Sequence, residues 1–198
     1  MKCDILIAGV GGQGQVLASR LLGAAAIDAG FDARTSETIG MSQRGGSVTS
    51  SVRVGGGVLS PLVPDSGADL ILGFEICETV RNLKKLSKTG AVVLNTQVIS
   101  PVSVSLGISK YDSDRMIDFI KSKVKNLVVV NACEMAIKAG SIKAANVVML
   151  GAACGAGFLP FEKERFLSVI INNVPEKFKS LNGTAFEYGY NYAAALVK

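Results

Sequence analysis

The residues with the clearest capacity for chemistry form a glycine-rich segment near the amino terminus: Gly9, Val10, Gly11, Gly12, Gln13 and Gly14. This GxGxxG segment follows an apolar run that predicts a buried strand at residues 5–8, and it precedes a predicted helix. Glycines at such a junction allow a tight turn and let backbone N–H groups approach a diphosphate, and the helix N-terminus adds partial positive charge. Alternatively, the glycines only pack the strand against the helix. The neighbouring Gln13 and Gln15 either bind a ligand or cap the helix.

A dinucleotide site of this kind usually includes an acidic residue that binds the ribose, about 20 residues further on. Glu37 lies 23 residues after Gly14, whereas Asp28 and Asp32 fall in or just after the predicted helix. The acidic residue is therefore not clearly placed. The motif leaves NAD(P) or FAD binding open and favours a glycine-rich loop that contacts a phosphate or a partner.

A second loop combines an arginine with small and polar residues. Its candidate ligand-binding residues are Ser42, Gln43, Arg44, Gly45 and Gly46. The guanidinium of an arginine in such a loop binds a carboxylate or a phosphate, or it pairs with an acid of the same chain such as Glu37.

The two loops are expected to meet. Both follow predicted strands, and ligands bind at the carboxyl ends of strands in a doubly wound sheet, so one crevice is expected between them. Asn95 ends a later predicted strand and either joins this rim or serves a turn.

Several kinds of chemistry are excluded by what the sequence lacks. With no histidine, the chain has no Ser-His-Asp triad, no Cys-His pair and no histidine-ligated zinc site. There is no P-loop, and no GDG segment typical of a thiamine diphosphate site. The four cysteines, Cys3, Cys77, Cys133 and Cys154, have no CxxC spacing and are expected to be reduced core thiols of a cytoplasmic protein. We expect no catalytic residue and no metal site in this chain.

Strand and helix patterns alternate along the chain. They predict a single α/β domain over residues 1–198, with three layers, a Rossmann-like and mainly parallel sheet, an inserted β-hairpin and C-terminal helices. In the first helix, Leu17, Leu21 and Ala25 are expected to face the core. Residues 38–46 are expected to form a loop, and residues 87–90 a turn. The predicted strands are 5–8, 31–37, 47–54, 58–63, 68–74, 91–95 and 127–131, with 47–54 and 58–63 as the hairpin. The predicted helices are 13–29, 75–86, 112–125, 133–139, 145–158, 162–173 and 176–197.

Composition narrows the range of partners. The chain has 198 residues, 48% of them hydrophobic, and a net charge of +5, which suits an anionic cofactor or an acidic partner. Its lysines are dispersed and have no aromatic residues between them, so nucleic-acid binding is not expected. No apolar run reaches membrane-spanning length, and no secretion signal is evident. Small residues in 145–156 predict either ordinary core packing or a subunit interface.

Taken together and in order, the motifs resemble the gamma-type subunit or domain of 2-oxoacid:ferredoxin oxidoreductases, in particular the small (beta) subunit of the indolepyruvate branch. The resemblance rests on the glycine segment, on the run at residues 42–53 and on several later stretches, and it spans nearly the whole chain. The later stretches are residues 60–64, 68–75, 95–96, 101–107 and 144–151.

The resemblance implies a subunit of an enzyme that oxidatively decarboxylates an aryl pyruvate with coenzyme A. The products are an aryl-acetyl-CoA, carbon dioxide and reduced ferredoxin. Thiamine diphosphate and the 4Fe-4S clusters would belong to a large (alpha) partner subunit. This chain would cover the catalytic cleft, with the glycine segment and Arg44 as candidate contacts to coenzyme A or to the partner. Two alternatives are a stand-alone Rossmann-type nucleotide-binding oxidoreductase and a non-catalytic regulatory or scaffold module.

Overall fold

A computed structural model describes residues 2–40 and 45–197. The strands are β1 Cys3–Val10, β2 Ala33–Ile39, β3 Ser47–Val54, β4 Ala68–Gly73, β5 Leu86–Asn95 and β6 Asn126–Val130. The helices are α1 Gln15–Asp28, α2 Ile76–Asn82, α3 Val102–Ser105, α4 Ser113–Lys123, α5 Ala132–Ala139, α6 Ala145–Gly155, α7 Lys163–Asn172 and α8 Lys179–Leu196.

The strands form one sheet in the order β2-β3-β1-β4-β5-β6. Strands β1, β4, β5 and β6 pair in parallel, and β3 runs antiparallel to both of its neighbours, β1 and β2. The chain adds strands to one side of β1 first and to the other side afterwards, so the strand order reverses between β1 and β4. Such a reversal opens a crevice at the carboxyl ends of the strands.

Alternation along the strands divides the core between the two faces of the sheet. Ile5 and Ile7 of β1 pack with α1 and α6, whereas Leu6, between them, packs with α2 and α4. Successive side chains of a strand point to opposite faces, and all of β1 is buried, so helices must cover the sheet on both sides. The predicted three-layer α/β fold is confirmed.

The hairpin is present, but its predicted partner strand was wrong. β3 pairs with β2 rather than with residues 58–63, which are not a strand. Pro61 lacks the N–H that a ladder requires. The carbonyls of this segment accept hydrogen bonds from side chains instead: Arg53 Nη1 reaches the oxygens of Ser60 (3.0 Å) and Leu62 (3.3 Å), and Lys85 Nζ reaches that of Val63 (3.1 Å).

Three smaller expectations were also corrected. Residues 87–90 lie within β5 rather than in a turn. Leu17 does not join Leu21 and Ala25 in the core: it is 38% exposed, and its place on the buried face of α1 is taken by Ala18 and Leu22. Helix α3 lies in a stretch for which the sequence predicted no helix.

Glycines allow α6 and α8 to pack at unusually short range. A Cβ atom added at Gly151 would lie 2.2 Å from the Phe186 carbonyl oxygen, and one added at Gly189 would lie 2.0 Å from that of Val148. The small residues of α6 therefore serve an intramolecular helix contact, and the alternative of a subunit interface is not needed to explain them.

All four cysteines are free, but only Cys3 and Cys154 are fully buried; Cys77 and Cys133 are half-buried, which corrects the expectation of four core thiols. Within the described residues, no helix is both long enough and apolar enough to span a membrane.

Candidate functional site

A cleft of about 490 Å³ opens at the carboxyl ends of the four parallel strands. Each strand contributes residues that follow it directly or within a few positions: the glycine segment after β1, Phe74 after β4, Gln97 after β5 and Cys133 after β6. The opposite wall is the start of α6. The full lining is Gly11, Gly12, Gln13, Gly14, Leu17, Phe74, Asn95, Gln97, Ile99, Cys133, Ile142, Lys143, Ala145, Asn146 and Met149.

The glycine segment makes a turn that requires glycine at two positions. Gly12 has φ 102° and Gly14 has φ 81°, in the left-handed region that side chains disfavour. Gly14 is also the N-cap of α1, and a Cβ there would lie 2.8 Å from Asn146 Nδ2. The turn thus brings the start of α1 directly against the start of α6.

The two glutamines of this segment stabilise the loop. The Gln13 side chain accepts a hydrogen bond from the Val10 N–H (2.9 Å) and donates to the Phe74 carbonyl (2.8 Å) and to Gln97 Oε1 (3.0 Å). Gln15 Nε2 donates to the Val10 carbonyl (2.8 Å). The expected helix cap is wrong for both side chains, because their partners are strand-end backbone groups and Gln97 rather than the N–H groups of α1. Gln13 also lines the cleft, so ligand binding by this residue stays a prediction.

Gly9 provides the space for both glutamines. A Cβ at this position would lie 2.5 Å from Gln15 Nε2 and 2.6 Å from Gln13 Oε1. Gly9 is therefore part of the support of the loop rather than of its surface.

The described end of the second loop lies against the first. The Gly11 N–H donates to the Gly46 carbonyl (2.9 Å), so the structure brings the two loops together at the carboxyl end of β1. Gly45, next to Gly46 in the chain, has φ 68°. Neither Gly45 nor Gly46 lines the cleft. Ser42, Gln43 and Arg44 lie outside the described residues.

Asn95 forms part of the cleft floor, and its side chain is fully engaged. Oδ1 accepts from the Ala132 N–H (3.1 Å), while Nδ2 donates to the Phe74 carbonyl (3.2 Å) and lies 3.7 Å from Cys133 Sγ. This buried amide joins the ends of β4 and β5 to the start of α5. Burial raises the pKa of the Cys133 thiol above its ordinary value, against a smaller lowering by Asn95.

The electrostatics of the cleft favour an anion. The N-termini of α1 and α6 both reach it, and neither has an acidic residue in its first turn. The start of α1 has no side-chain cap, whereas α6 continues from a 3-10 turn capped by Ser141, and its Val147 N–H is bound to Asn146 Oδ1. By contrast, Asn131 caps α5, and Glu134 lies in its first turn. An uncapped helix N-terminus, here that of α1, presents free N–H groups and partial positive charge. Lys143 adds a cation at the rim, and no Asp or Glu is among the described residues that line the cleft.

Several of the lining residues were not identified from the sequence. Lys143 and Asn146 precede or begin α6, which was described only by its apolar and small residues. Leu17 was assigned to the core, and Cys133 was taken as a buried thiol. A start signal for α6 was available at Ser141, whose hydroxyl accepts a hydrogen bond from the Lys143 N–H (3.3 Å).

A buried polar contact fixes the segment that carries Gln97 and Ile99. Glu75, the N-cap of α2, accepts from the Glu78 N–H (2.9 Å) and from the hydroxyl of Tyr111. Burial and the Glu75 hydrogen bond raise the pKa of Tyr111 well above its ordinary value, so the phenol remains a donor. The segment from β5 to α4 is thus held at both ends beside the cleft.

The candidate ribose-binding acid is displaced from the glycine segment. β3 lies between β1 and β2, which places Glu37 two strand spacings from β1, roughly 9–10 Å. Its carboxylate accepts a hydrogen bond from Ser19 on α1 (3.1 Å). This arrangement differs from the dinucleotide-binding order, in which the second strand is adjacent to the first.

The chain has an α/β sheet with an inserted antiparallel strand and an electropositive cleft. Comparison with known protein families assigns a chain with these features to a class. The chain belongs to the family described as pyruvate ferredoxin/flavodoxin oxidoreductase, whose model matches residues 4–192.

Individual relatives are more informative than the family as a whole. The chain is 41% identical over 194 residues to a protein from Archaeoglobus fulgidus named indolepyruvate oxidoreductase subunit IorB, across 98% of this chain and 96% of that one. The gamma subunit of a keto/oxoacid ferredoxin oxidoreductase from Geobacter sulfurreducens PCA has a similar structure, with a TM-score of 0.71 at 24% identity, over 98% of this chain and 99% of that chain.

A third similar structure is 2-oxoglutarate:ferredoxin oxidoreductase from Magnetococcus marinus, solved with 2-oxoglutarate, coenzyme A and succinyl-CoA bound. Its TM-score is 0.71 at 20% identity, and the match covers 98% of this chain and 31% of that chain. At these identities, the two structures establish the fold alone.

Proposed function

We propose that this chain is the small subunit of an indolepyruvate:ferredoxin oxidoreductase and that its cleft binds the phosphate groups of coenzyme A. The subunit assignment is supported by the full-length similarity to the Archaeoglobus fulgidus subunit. The single observation that carries the ligand assignment is the cleft that is lined by the uncapped N-terminus of α1 and by Lys143, with no acid among the described lining residues.

The remaining cofactors are assigned to a large partner subunit. The four cysteines lie on different elements, and no group of three or more metal-binding side chains occurs in the described part of the chain. These residues do not fit an iron–sulfur cluster. Thiamine diphosphate and the 4Fe-4S clusters would then be held by the partner, ferredoxin would be reduced through the complex, and the assembly would reside in the cytoplasm.

Particular groups of this chain would hold coenzyme A, which supplies the thiol that accepts the acyl group. The N–H groups of Gly12 and Gly14 donate to no acceptor among the described residues, so they are available to a phosphate. The Lys143 ammonium is the other donor. Arg44 is proposed as a further cation, because its loop is tied to the glycine segment through Gly46.

Titration of the purified chain with coenzyme A by calorimetry tests the ligand assignment. We expect Lys143→Ala to raise the Kd about fivefold, because an exposed charge-assisted hydrogen bond contributes about 1 kcal/mol. Lys177→Ala, which removes an exposed lysine outside the cleft, serves as the matched control. Arg44→Ala is expected to weaken coenzyme A use in the same direction.

Two results would contradict the proposal. Tight NAD(P) or flavin binding by the isolated chain, without coenzyme A binding, would favour the stand-alone Rossmann-type oxidoreductase. Unchanged turnover of indolepyruvate by the large subunit, with coenzyme A and an artificial electron acceptor but without this chain, would favour the non-catalytic module.

A further inference from the structure

One edge of the sheet is open to a further strand. β2 is the outermost strand on its side, and within the described chain it pairs with β3 alone. The strand at the other edge, β6, is partly covered, because the Tyr192 hydroxyl donates to the Val129 carbonyl (3.0 Å). An open edge strand presents a row of backbone N–H and C=O groups with which another strand can pair.

The free backbone groups of this edge belong to alternate residues of β2. The Gly40 N–H donates to the Ser47 carbonyl (2.9 Å), and the Asp32 carbonyl accepts from the Gly55 N–H (2.8 Å), so the even-numbered residues bond to β3. Hydrogen-bonded and non-hydrogen-bonded positions alternate along an antiparallel pair. The groups that point to the open edge are therefore those of the odd-numbered residues, Ala33, Thr35, Glu37 and Ile39.

β2 lacks the usual protection of an edge strand. Such strands are commonly blocked by proline, by a β-bulge or by charged side chains that repel a second strand. β2 contains no proline, and it pairs with β3 without a register shift. Its two charged side chains are bound to their own chain: Arg34 Nε donates to the Val58 carbonyl (2.5 Å), and Glu37 accepts from Ser19 (3.1 Å). Five of the seven residues of β2 are exposed, so the edge is accessible.

The backbone of β2 is complementary to a second copy of itself. In an antiparallel pair with a two-fold axis beside Ser36, Ala33 of each copy lies opposite Ile39 of the other, and Thr35 lies opposite Glu37. Because a two-fold contact repeats each pair, all the outward-pointing groups of both strands are then used. An axis beside Thr35 or Glu37 would leave one of these residues without an opposite residue of β2.

The side chains of β2 agree with this register. Ile39 is 64% exposed in the single chain, and the pairing covers it with Ala33 of the second copy. The two charged residues, Arg34 and Glu37, each lie opposite a threonine. An axis beside Arg34 or Glu37 would instead set like charges directly opposite each other, which destabilises a strand pair.

We infer that two copies of this chain associate through their β2 strands, paired antiparallel about Ser36, so that the two six-stranded sheets form one continuous sheet. The row of free backbone groups calls for an extended strand, and the charge complementarity of β2 with itself selects a second copy. The inference is independent of the proposed function, because no residue of β2 lines the coenzyme A cleft.

A disulfide at the two-fold axis tests this inference in the full chain. Cα atoms of a non-hydrogen-bonded antiparallel pair lie about 4.5 Å apart, within the range of a disulfide. Ser36→Cys is therefore expected to give a covalent dimer with oxidised glutathione, which takes up the two electrons and two protons of the thiols. Thr38→Cys on the same face is the matched control, since its two copies would lie about 14 Å apart, and it is expected to stay monomeric on a non-reducing gel. The native chain, whose cysteines are all free, gives the background of the assay.

Charges placed at residue 35 test the register by a second route. Thr35→Lys sets an ammonium opposite Glu37 of the other copy, whereas Thr35→Glu sets a second carboxylate there. We expect the dimer Kd, measured by sedimentation equilibrium at low salt, to fall about threefold for the lysine variant and to rise about threefold for the glutamate variant. Both effects are expected to shrink at high salt.

Three results would overturn the inference and leave the proposed function standing. One is a native chain that sediments as a monomer at every concentration, with no cross-link in Ser36→Cys. Another is equal cross-linking of Ser36→Cys and Thr38→Cys, which would show random collision rather than a defined register. The third is loss of the Ser36→Cys cross-link when the large subunit is added, which would assign the β2 edge to that subunit.

Discussion

The contact between α6 and α8 predicts that one added methyl group is strongly destabilising at Gly189. Its Cβ would lie 2.0 Å from the Val148 carbonyl oxygen and 2.9 Å from the Ala152 nitrogen, both backbone atoms. Ordinary contacts of a Cβ begin at 3.4 Å, so the two helices would have to separate by about 1.4 Å. Backbone cannot rotate away as a flexible side chain does, so the strain must be absorbed by the packing of both helices.

The expected loss of stability can be estimated from the known cost of overpacking a protein core. We expect Gly189→Ala to reduce the free energy of unfolding by about 3 kcal/mol, at the upper end of the usual range because neither contact can relax. For a chain of this length, that corresponds to a loss of about 6–12 °C in Tm. Gly183→Ala on the same helix is the matched control, because its Cβ would meet only Ile171 Cδ1 at 3.6 Å. That variant is expected to be more stable by about 0.5–1 kcal/mol, since alanine favours the helix.

Urea denaturation followed by far-UV circular dichroism measures both variants under one set of conditions. The two alanine substitutions are expected to have opposite signs and to differ by about 3–4 kcal/mol. Equal midpoints for Gly189→Ala and the native chain, with unchanged m-values, would refute the close approach of α6 and α8.

Two further predictions concern buried groups. Arg53 binds the buried carboxylate of Asp4 through two hydrogen bonds of 2.8 and 3.0 Å, so Arg53→Leu is expected to cost about 3 kcal/mol in urea denaturation; a loss below 1 kcal/mol would contradict it. Burial raises the pKa of Cys3 from 9.0 to about 12 and that of Cys154 to about 11. The unfolded chain loses these protons first, so stability is expected to fall as pH rises from 9 towards 12, and the Cys3→Ala, Cys154→Ala double variant should flatten that fall.

Local sequence patterns determined most of the strands and helices. The apolar run at the start of the chain, followed by glycines, specified β1 and the turn into α1, because a buried parallel strand is continuously apolar and such a turn requires glycine. The GxGxxG spacing likewise located one wall of the cleft. These features depend on neighbours within a few residues, which a sequence displays directly.

Which strands pair, and which residues line the cleft, could be determined only from the tertiary structure. The alternating pattern of β3 is compatible with pairing either to β2 or to residues 58–63. Only the folded sheet shows that β3 lies between β1 and β2, which places Glu37 away from the glycine segment. Gln13 and Asn95, predicted as ligand contacts, use their amides to join strand ends that are far apart in sequence. Lys143 reaches the same cleft from the turn just before α6, some 130 residues after the glycine segment. Such contacts depend on the packing of distant segments, and no local period or spacing encodes them.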